Sequence, residues 1–205
     1  MGPTRSEPAA RAQPRARALF DHGWYRHAQH RPSPHCDARP YGTTLDLVVL
    51  HNISLPAGQF GGDFIDALFL GTLDSRAHPS FAALEGLRVS AHFLVRRDGS
   101  LVQYVGCEQR AWHAGASSFQ GRSRCNDYSL GIELEGSDTI PFEAAQYDTL
   151  AALVAALVEA YPIRFIVGHS DVAPGRKTDP GPCFDWAALR RASGLASTGF
   201  PLVKT

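Results

Sequence analysis

Apolar and polar positions alternate along the chain in a pattern that predicts strands and helices in an interleaved order. The apolar, β-branched run Leu45–Leu50 predicts a buried strand, and Phe165–Val167 predicts a second, shorter one. Two alternating segments, Ser90–Arg97 and Ser100–Val105, flank the dipeptide Asp98-Gly99. That dipeptide favours a type I′ turn, so we expect a hairpin here.

Helical periodicity is clearest over residues 143–161, where apolar side chains recur on one face until Pro162 ends the pattern. A shorter helix is predicted over residues 64–69, closed by Gly71, and a last helix over residues 186–191. The first two helices therefore lie between predicted strands in the chain, and the third follows the last strand.

The order of these elements predicts the fold class. A further central strand is expected over Tyr128–Glu135, and one strand pair is the hairpin. We therefore expect an α/β fold, a single domain with a central mixed β-sheet flanked by helices. We assign residues 20–191 to this domain, residues 1–19 to a disordered leader and residues 192–205 to a C-terminal tail.

Composition and charge exclude several classes of protein. Hydrophobic residues make up 44% of the 205 residues and charged residues 20%, as in soluble globular proteins. Lys plus Arg equals Asp plus Glu at 20 each, so no overall charge attracts nucleic acid or membrane. No signal-peptide-like apolar run follows the early basic residues, and no stretch approaches bilayer-spanning length. We expect a cytoplasmic monomer that binds neither nucleic acid nor membrane.

Four cysteines, Cys36, Cys107, Cys125 and Cys183, are scattered along the chain without a CxxC pair. A disulfide framework or a structural zinc knuckle would place them closer together. Reduced thiols are therefore expected, and a single long-range bridge is the alternative.

Two histidines and one aspartate form a candidate metal site. His51 follows one predicted strand, His169 follows another, and Asp179 lies ten residues later in a loop rich in Pro and Gly. Two imidazoles and one carboxylate are a typical protein ligand set of catalytic zinc, which keeps its fourth position for water. The ends of rigid strands would hold the histidines, and the loop could fold back onto the metal.

Glu133 is a candidate general base in the predicted strand that contains it. Period-two alternation places Glu133 and Glu135 on the same face, opposite their apolar neighbours. A carboxylate on a buried strand needs a partner, and an activated water is a suitable one.

Each of these residues also has an ordinary structural interpretation. A histidine is often a surface or satisfied core residue, Asp179 suits a turn, and Lys177 suits solvent. Glu133 could be the ion-pair partner of Arg88 or Arg124. Spacing alone leaves these alternatives open.

Separated segments carry a resemblance to a known family. They read VVLHNISLP (48–56), RVSAHFLV (88–95), AWHAG (111–115), CNDYSLGIELEG (125–136), and GH (168–169) with RKTDPGP (176–182). Together they resemble the type 2 N-acetylmuramoyl-L-alanine amidases, relatives of the peptidoglycan recognition proteins. The resemblance runs from about residue 23 to residue 191, and it is greatest to the cytosolic branch that cleaves 1,6-anhydro-N-acetylmuramyl-L-alanine in peptidoglycan recycling.

The resemblance implies a role for each residue of the candidate site. His51, His169 and Asp179 match the family's zinc ligands, Glu133 its catalytic carboxylate, and Lys177 the lysine that stabilises the developing oxyanion. Many relatives have Cys as the third ligand, whereas the cytosolic branch has Asp, as this chain does.

Five further residues are candidates for binding the anhydromuropeptide substrate. Asn52, Arg88 and Arg124 would grip the peptide stem, because the guanidinium fork suits its carboxylates. Trp112 and His113 would floor the groove. Surface ion pairs and turn packing are the alternatives for these side chains.

The implied reaction is hydrolysis of the amide between (1,6-anhydro-)N-acetylmuramic acid and L-alanine by zinc-activated water. Three other classes compete with it. A non-catalytic peptidoglycan-recognition module is opposed by the complete set of reactive residues, and a periplasmic amidase by the lack of a signal-peptide pattern. A cysteine hydrolase is opposed by the absence of any recognisable nucleophile setting.

Overall fold

The computed structural model describes residues 19–195, and its elements follow the order predicted for the α/β domain. Residues 1–18, nearly all of the predicted leader, lie outside the described residues, as do residues 196–205 of the predicted tail. The predicted disorder of the leader and the domain boundaries therefore stay predictions.

Strands in the described residues range from two to seven residues in length. In chain order they are β1 (Phe20–Asp21), β2 (Trp24–Tyr25), β3 (Gln29–His30), β4 (Cys36–Ala38), β5 (Leu47–Ile53), β6 (Phe93–Val95), β7 (Leu101–Gln103), β8 (Gln109–Ala111), β9 (Ser118–Phe119), β10 (Arg122–Ser123), β11 (Ser129–Glu135) and β12 (Phe165–Gly168). The two longest, β5 and β11, are neighbours in the central sheet.

Six of these strands form the central sheet in the order β12-β5-β11-β6-β7-β3. The strands from β12 to β6 are parallel to one another, β6 and β7 are antiparallel, and β3 is parallel to β7. The sheet is therefore mixed, as predicted. The short strands pair antiparallel outside it, β1 with β2, β4 with β8 and β9 with β10.

Helices flank this sheet. In chain order they are α1 (Phe64–Leu70), α2 (Ala144–Ala160), α3 (His169–Val172) and α4 (Trp186–Ser193), with 3-10 helices at Pro79–Leu84 and Cys125–Asp127. The three helices predicted from periodicity are confirmed to within two residues. Gly71 ends α1 with φ 72°, which its predicted role as the closing glycine requires. Among residues 19–195, no helix has both the length and the apolar character needed to cross a bilayer.

The two faces of the sheet are covered by different elements. Leu50, Ile132 and Leu134 share one face and are fully buried in a core with side chains of α2 and α4. Because side chains alternate along a strand, His51 and Glu133 lie on the opposite face. That second face is covered in part by α1 and in part by α3.

The predicted hairpin is confirmed, but its predicted turn type is wrong. The amide of Arg96 donates to the carbonyl of Ser100 at 2.9 Å, and the amide of Gly99 donates to the carbonyl of Arg96 at 2.9 Å. Within the loop 97–99 only Gly99 has a positive φ, 83°. A type I′ turn needs positive φ at both central residues, whereas Asp98 has a negative φ and accepts from the amide of Ser100 at 2.9 Å. The loop therefore has three residues and ends in a left-handed glycine.

Candidate metal centre and active site

Three side chains from three elements meet on the second face of the sheet. His51 lies near the end of β5, His169 is the first residue of α3 directly after β12, and Asp179 lies on the loop that follows. The parallel register places Gly168 beside Leu50, so the two histidines directly follow a pair of neighbouring residues. The sequence predicts His51 just after its strand, whereas β5 continues two residues beyond it.

The three side chains present one potential ligand atom each to a common point. The Nδ1 atoms of His51 and His169 are 2.9 Å apart, and they lie 3.0 and 2.9 Å from Oδ2 of Asp179. Both histidines are buried, with 2% and 3% of their surface exposed. This group, found among the described residues, could hold a metal ion.

The local electrostatics prepare these groups for a cation. Burial lowers the pKa of His51 to about 4, so its imidazole is neutral at pH 7. Burial tends to raise the pKa of Asp179, but hydrogen bonds with His169 and His51 outweigh it, and the net shift is downward. A metal ion therefore meets a neutral imidazole and an ionised carboxylate without having to displace protons from them.

Glu133 lies beside His51 across the β5–β11 pair. It is buried, and its Oε2 atom has no hydrogen-bond partner among the described residues. Burial raises its pKa well above the usual range; the charge of Asp179 raises it further, and the charge of Lys177 opposes the shift. A buried carboxylate oxygen without a partner is costly to the fold, so its position beside a candidate metal ligand points to chemistry.

Lys177 lies on the loop between α3 and Asp179 and is exposed to solvent. Its positive charge opposes the rise in the pKa of Glu133 and adds to the fall in the pKa of His51. The structure thus brings together four of the five residues that the sequence predicts for metal and catalysis, and Lys177 lies two residues before Asp179 on the same loop.

Two predicted substrate-binding residues contact this cluster or its loop. Nδ1 of His113 lies 3.0 Å from Nε2 of His51, on the side away from the cluster of ligand atoms. The amide group of Asn52 donates to Oδ1 of Asp138 at 2.7 Å and to the carbonyl of Pro180 at 3.1 Å. Asn52 therefore holds the loop that carries the third candidate ligand.

The other three predicted substrate-binding residues are paired with other side chains or exposed. Nε1 of Trp112 donates to Asp37 at 3.3 Å, and Nε of Arg124 donates to Asp127 at 3.0 Å. Arg88 is exposed. The partner of Arg124 is thus Asp127, in place of the ion pair with Glu133 that spacing left open. Substrate binding by these residues stays a prediction.

Arg39 is a half-buried residue of the site's surroundings to which the sequence assigns no role. Its guanidinium donates to the carbonyls of Asn126 and Asp127 at 3.0 and 2.9 Å, and to those of Ser129 and Cys107 at 2.9 and 3.1 Å. Burial lowers its pKa to about 10. These contacts fix the segment that leads into β11. No linear pattern could reveal them, because the partners lie 68 to 90 residues away.

None of the four cysteines forms a disulfide, in agreement with the expected reduced thiols. Cys183 is half-buried and does not belong to the candidate metal group.

Comparisons with known proteins place the chain beside one family. The family model described as N-acetylmuramoyl-L-alanine amidase matches residues 41–182, a span that contains every candidate site residue. The 1,6-anhydro-N-acetylmuramyl-L-alanine amidase AmpD of Escherichia coli (strain K12) is 59% identical over 174 residues, which cover 84% of this chain and 95% of that protein.

Solved structures give the same picture. A crystal structure of a selenomethionine derivative of AmpD has 58% identity and a TM-score of 0.83, and the match covers 85% of this chain and 98% of that one. The amidase AmiD of Escherichia coli, in complex with its substrate anhydro-N-acetylmuramic acid-L-Ala-D-γ-Glu-L-Lys, has 31% identity and a TM-score of 0.53. That match covers 75% of this chain and 60% of AmiD.

The raised pKa of Glu133 predicts a stability effect in the metal-free protein. Folding takes up a proton at Glu133 above the ordinary glutamate pKa of about 4.3, so stability falls as the pH rises from there. Glu133→Gln cannot ionise, and we expect it to be more stable than wild type at pH 7.5 by on the order of 1 kcal/mol. Urea unfolding of chelator-treated protein should show a smaller difference at pH 5.

Glu135→Gln is the matched control, because Glu135 is buried on the same face of the same strand but is paired. Its carboxylate accepts from Arg96 at 3.2 Å and from the amide of Gly61 at 2.7 Å. This variant should be less stable than wild type at both pH values. A Glu133→Gln variant that loses stability in the same way would contradict the unpaired state of Glu133.

Proposed function

Because the chain belongs to the N-acetylmuramoyl-L-alanine amidase family, we propose that it hydrolyses the amide between 1,6-anhydro-N-acetylmuramic acid and L-alanine in recycled muropeptides. The observation that carries this proposal is one cluster on the second face of the sheet. There, the ligand atoms of His51, His169 and Asp179 meet beside the buried, unpaired carboxylate of Glu133.

Zinc is the cofactor that we propose for this site. Two imidazole nitrogens and one carboxylate oxygen, from His51, His169 and Asp179, are the donor set of catalytic zinc sites with a water in the fourth position. The separations of 2.9 to 3.0 Å between the donor atoms suit a common ion. When bound, zinc supplies Lewis-acid activation of water and of the scissile carbonyl.

Glu133 has the properties of the proton carrier in this reaction. Its burial raises the pKa of the carboxylate, which makes it a stronger base than an exposed glutamate. It would accept a proton from the attacking water and then donate it to the L-alanine nitrogen as the amide bond breaks. The absence of a hydrogen-bond partner among the described residues leaves Oε2 available for this transfer.

Lys177 would stabilise the negative charge that develops on the carbonyl oxygen. It lies two residues before Asp179 on the same loop, so its ammonium group could reach an oxyanion formed beside the metal ligands. One such donor typically contributes about 3 kcal/mol to the transition state.

We propose that Asn52, Arg88, Trp112 and Arg124 contact the anhydromuropeptide outside the reacting bond. Arg88 and Arg124 are exposed, and a guanidinium suits the carboxylates of the peptide stem. Trp112 presents a half-buried ring suited to the sugar.

The metal assignment predicts a defined zinc content. The purified protein should bind one zinc per chain and lose activity when a chelator removes it. Asp179→Ala removes the charged ligand and should leave most chains without zinc by elemental analysis. Asp148→Ala, an exposed carboxylate on α2, is the control and should keep the zinc. Full occupancy in Asp179→Ala would show that another residue completes the site.

The different roles of the metal ligands and of Glu133 predict that a variant can lose turnover and still keep its zinc. Glu133→Gln should keep about one zinc per chain while kcat falls by about 10² to 10⁴, because glutamine cannot accept the proton. Lys177→Ala should also keep the zinc and lower kcat more than it changes KM. Glu135→Gln, assayed below its unfolding temperature, should retain turnover. Loss of zinc in Glu133→Gln would make that carboxylate a ligand, and this mechanism wrong.

We propose the cytosol as the place of action, since the four unpaired thiols suit a reducing compartment. Fractionation of cells that express the chain should recover it at full length with cytosolic markers. A shortened form among periplasmic markers would contradict this.

A further inference from the structure

The dipeptide His113-Ala114 contacts both histidines of the candidate metal centre at their outer ring nitrogens. Nδ1 of His113 lies 3.0 Å from Nε2 of His51, and the carbonyl of Ala114 lies 3.2 Å from Nε2 of His169. Two consecutive residues therefore each contact Nε2, the outer nitrogen, of one imidazole. The inner nitrogens, both Nδ1, face Asp179.

Hydrogen bonding assigns the proton positions in this arrangement. A neutral imidazole that offers Nδ1 to a metal carries its proton on Nε2. The carbonyl of Ala114 can only accept, so it selects that tautomer in His169. For His51 the same selection requires Nδ1 of His113 to act as the acceptor. The far nitrogen of His113, Nε2, then donates to Oγ of Ser129 at 3.2 Å.

A glycine in the central sheet leaves the space that the His113 ring occupies. A Cβ atom at Gly131 would lie 2.4 Å from Cγ of His113, closer than any normal contact. Gly131 is on the same face of β11 as Glu133, two residues along the strand. The missing side chain therefore leaves room for the His113 ring beside β11, next to His51.

The backbone of this segment is held by one amide side chain. Oδ1 of Asn126 accepts from the amides of His113 at 3.2 Å and of Ala114 at 2.8 Å. Arg176 also donates to the carbonyl of Ala114, at 2.9 Å. The segment is thus fixed on both sides of the point where it meets the histidines.

We infer that His113 is a positioning residue for the metal centre, which holds His51 in the tautomer and orientation that offer Nδ1 to zinc. This inference rests on the proposed zinc-dependent function and changes the role that the sequence suggests for His113. A ring hydrogen-bonded between His51 and Ser129 has both nitrogens engaged, so neither is left to bind a sugar-peptide. Outer partners of this kind typically contribute about 10- to 100-fold to metal affinity.

Two substitutions distinguish the effect of the acceptor atom from the effect of the ring. His113→Asn keeps an acceptor, because Oδ1 of asparagine occupies the place of Nδ1, but it removes the far edge of the ring, including Nε2. His113→Phe keeps a ring of similar size but has no acceptor. Zinc affinity of both variants and wild type is measured by competition with a chromophoric chelator at fixed pH. Circular dichroism and thermal unfolding show whether each variant is folded.

We expect His113→Phe to bind zinc about 10- to 100-fold more weakly than wild type, and His113→Asn to remain within a few-fold of it. With zinc in excess, the KM for the anhydromuropeptide should stay at the wild-type value in both variants. Wild-type zinc affinity in folded His113→Phe would overturn the inference, as would a raised KM at unchanged zinc affinity. A wild-type protein that binds no zinc would instead contradict the proposed function.

The glycine gives a second test that does not depend on the phenylalanine variant. Gly131→Ala should displace the His113 ring and weaken zinc binding, and in combination with His113→Ala it should weaken zinc binding no further than His113→Ala alone, because the methyl group then has room. If the two changes lowered zinc affinity additively, the shared space would be contradicted. Nitrogen-15 NMR of the histidine rings provides a direct readout, since Nε2 of His51 should carry the proton in the zinc-bound wild type.

Discussion

The candidate site depends on the register in which three parallel strands pair at the centre of the sheet. β5 pairs with β11 so that His51 lies beside Glu133, and β12 pairs with β5 so that Gly168 lies beside Leu50. A slip by one residue would move each side chain of the slipped strand to the other face. The fully buried apolar residues on the face toward α2 and α4 oppose such a slip. The hydrophobic core on one face thus determines where the polar groups meet on the other.

The buried polar groups on the second face cost folding free energy, and apolar burial on the first face offsets this cost. Burial lowers the pKa of His51 and raises that of Glu133, so the charged form of each group is disfavoured. Glu135 shows that the same strand can bury a carboxylate with its hydrogen bonds satisfied, by Arg96 and by backbone amides. The unpaired state of Glu133 is therefore a local feature of the site, where proteins commonly accept such costs for function.

Irregular segments supply the second layer of the site. Arg39 donates to carbonyls of the segment that leads into β11. Asn126 accepts from the amides of His113 and Ala114, the two residues that contact the histidines. Strand ends alone would place the imidazoles but leave their rings free to turn. Because buried carbonyls and amides must find partners, these segments adopt one conformation, and that conformation restricts the rings.

The sequence by itself determined the elements whose information is local. Apolar periodicity was enough for α2 and for the central strands, Asp98-Gly99 was enough for a hairpin, and the residue types at His51, His169 and Asp179 indicated a metal. The turn type was wrong, because the choice between turn geometries depends on the pairing of the flanking strands.

Only the tertiary structure decided the relations between residues that are distant in the chain. The contact of His51 with Asp179 joins residues 128 apart, and no periodicity extends that far. The space beside Gly131, the contacts of Arg39 and the surroundings of His113 likewise depend on how elements pack. Local patterns record the free energy of forming an element, whereas the partner of each polar group is set by packing between elements, which the linear order does not contain.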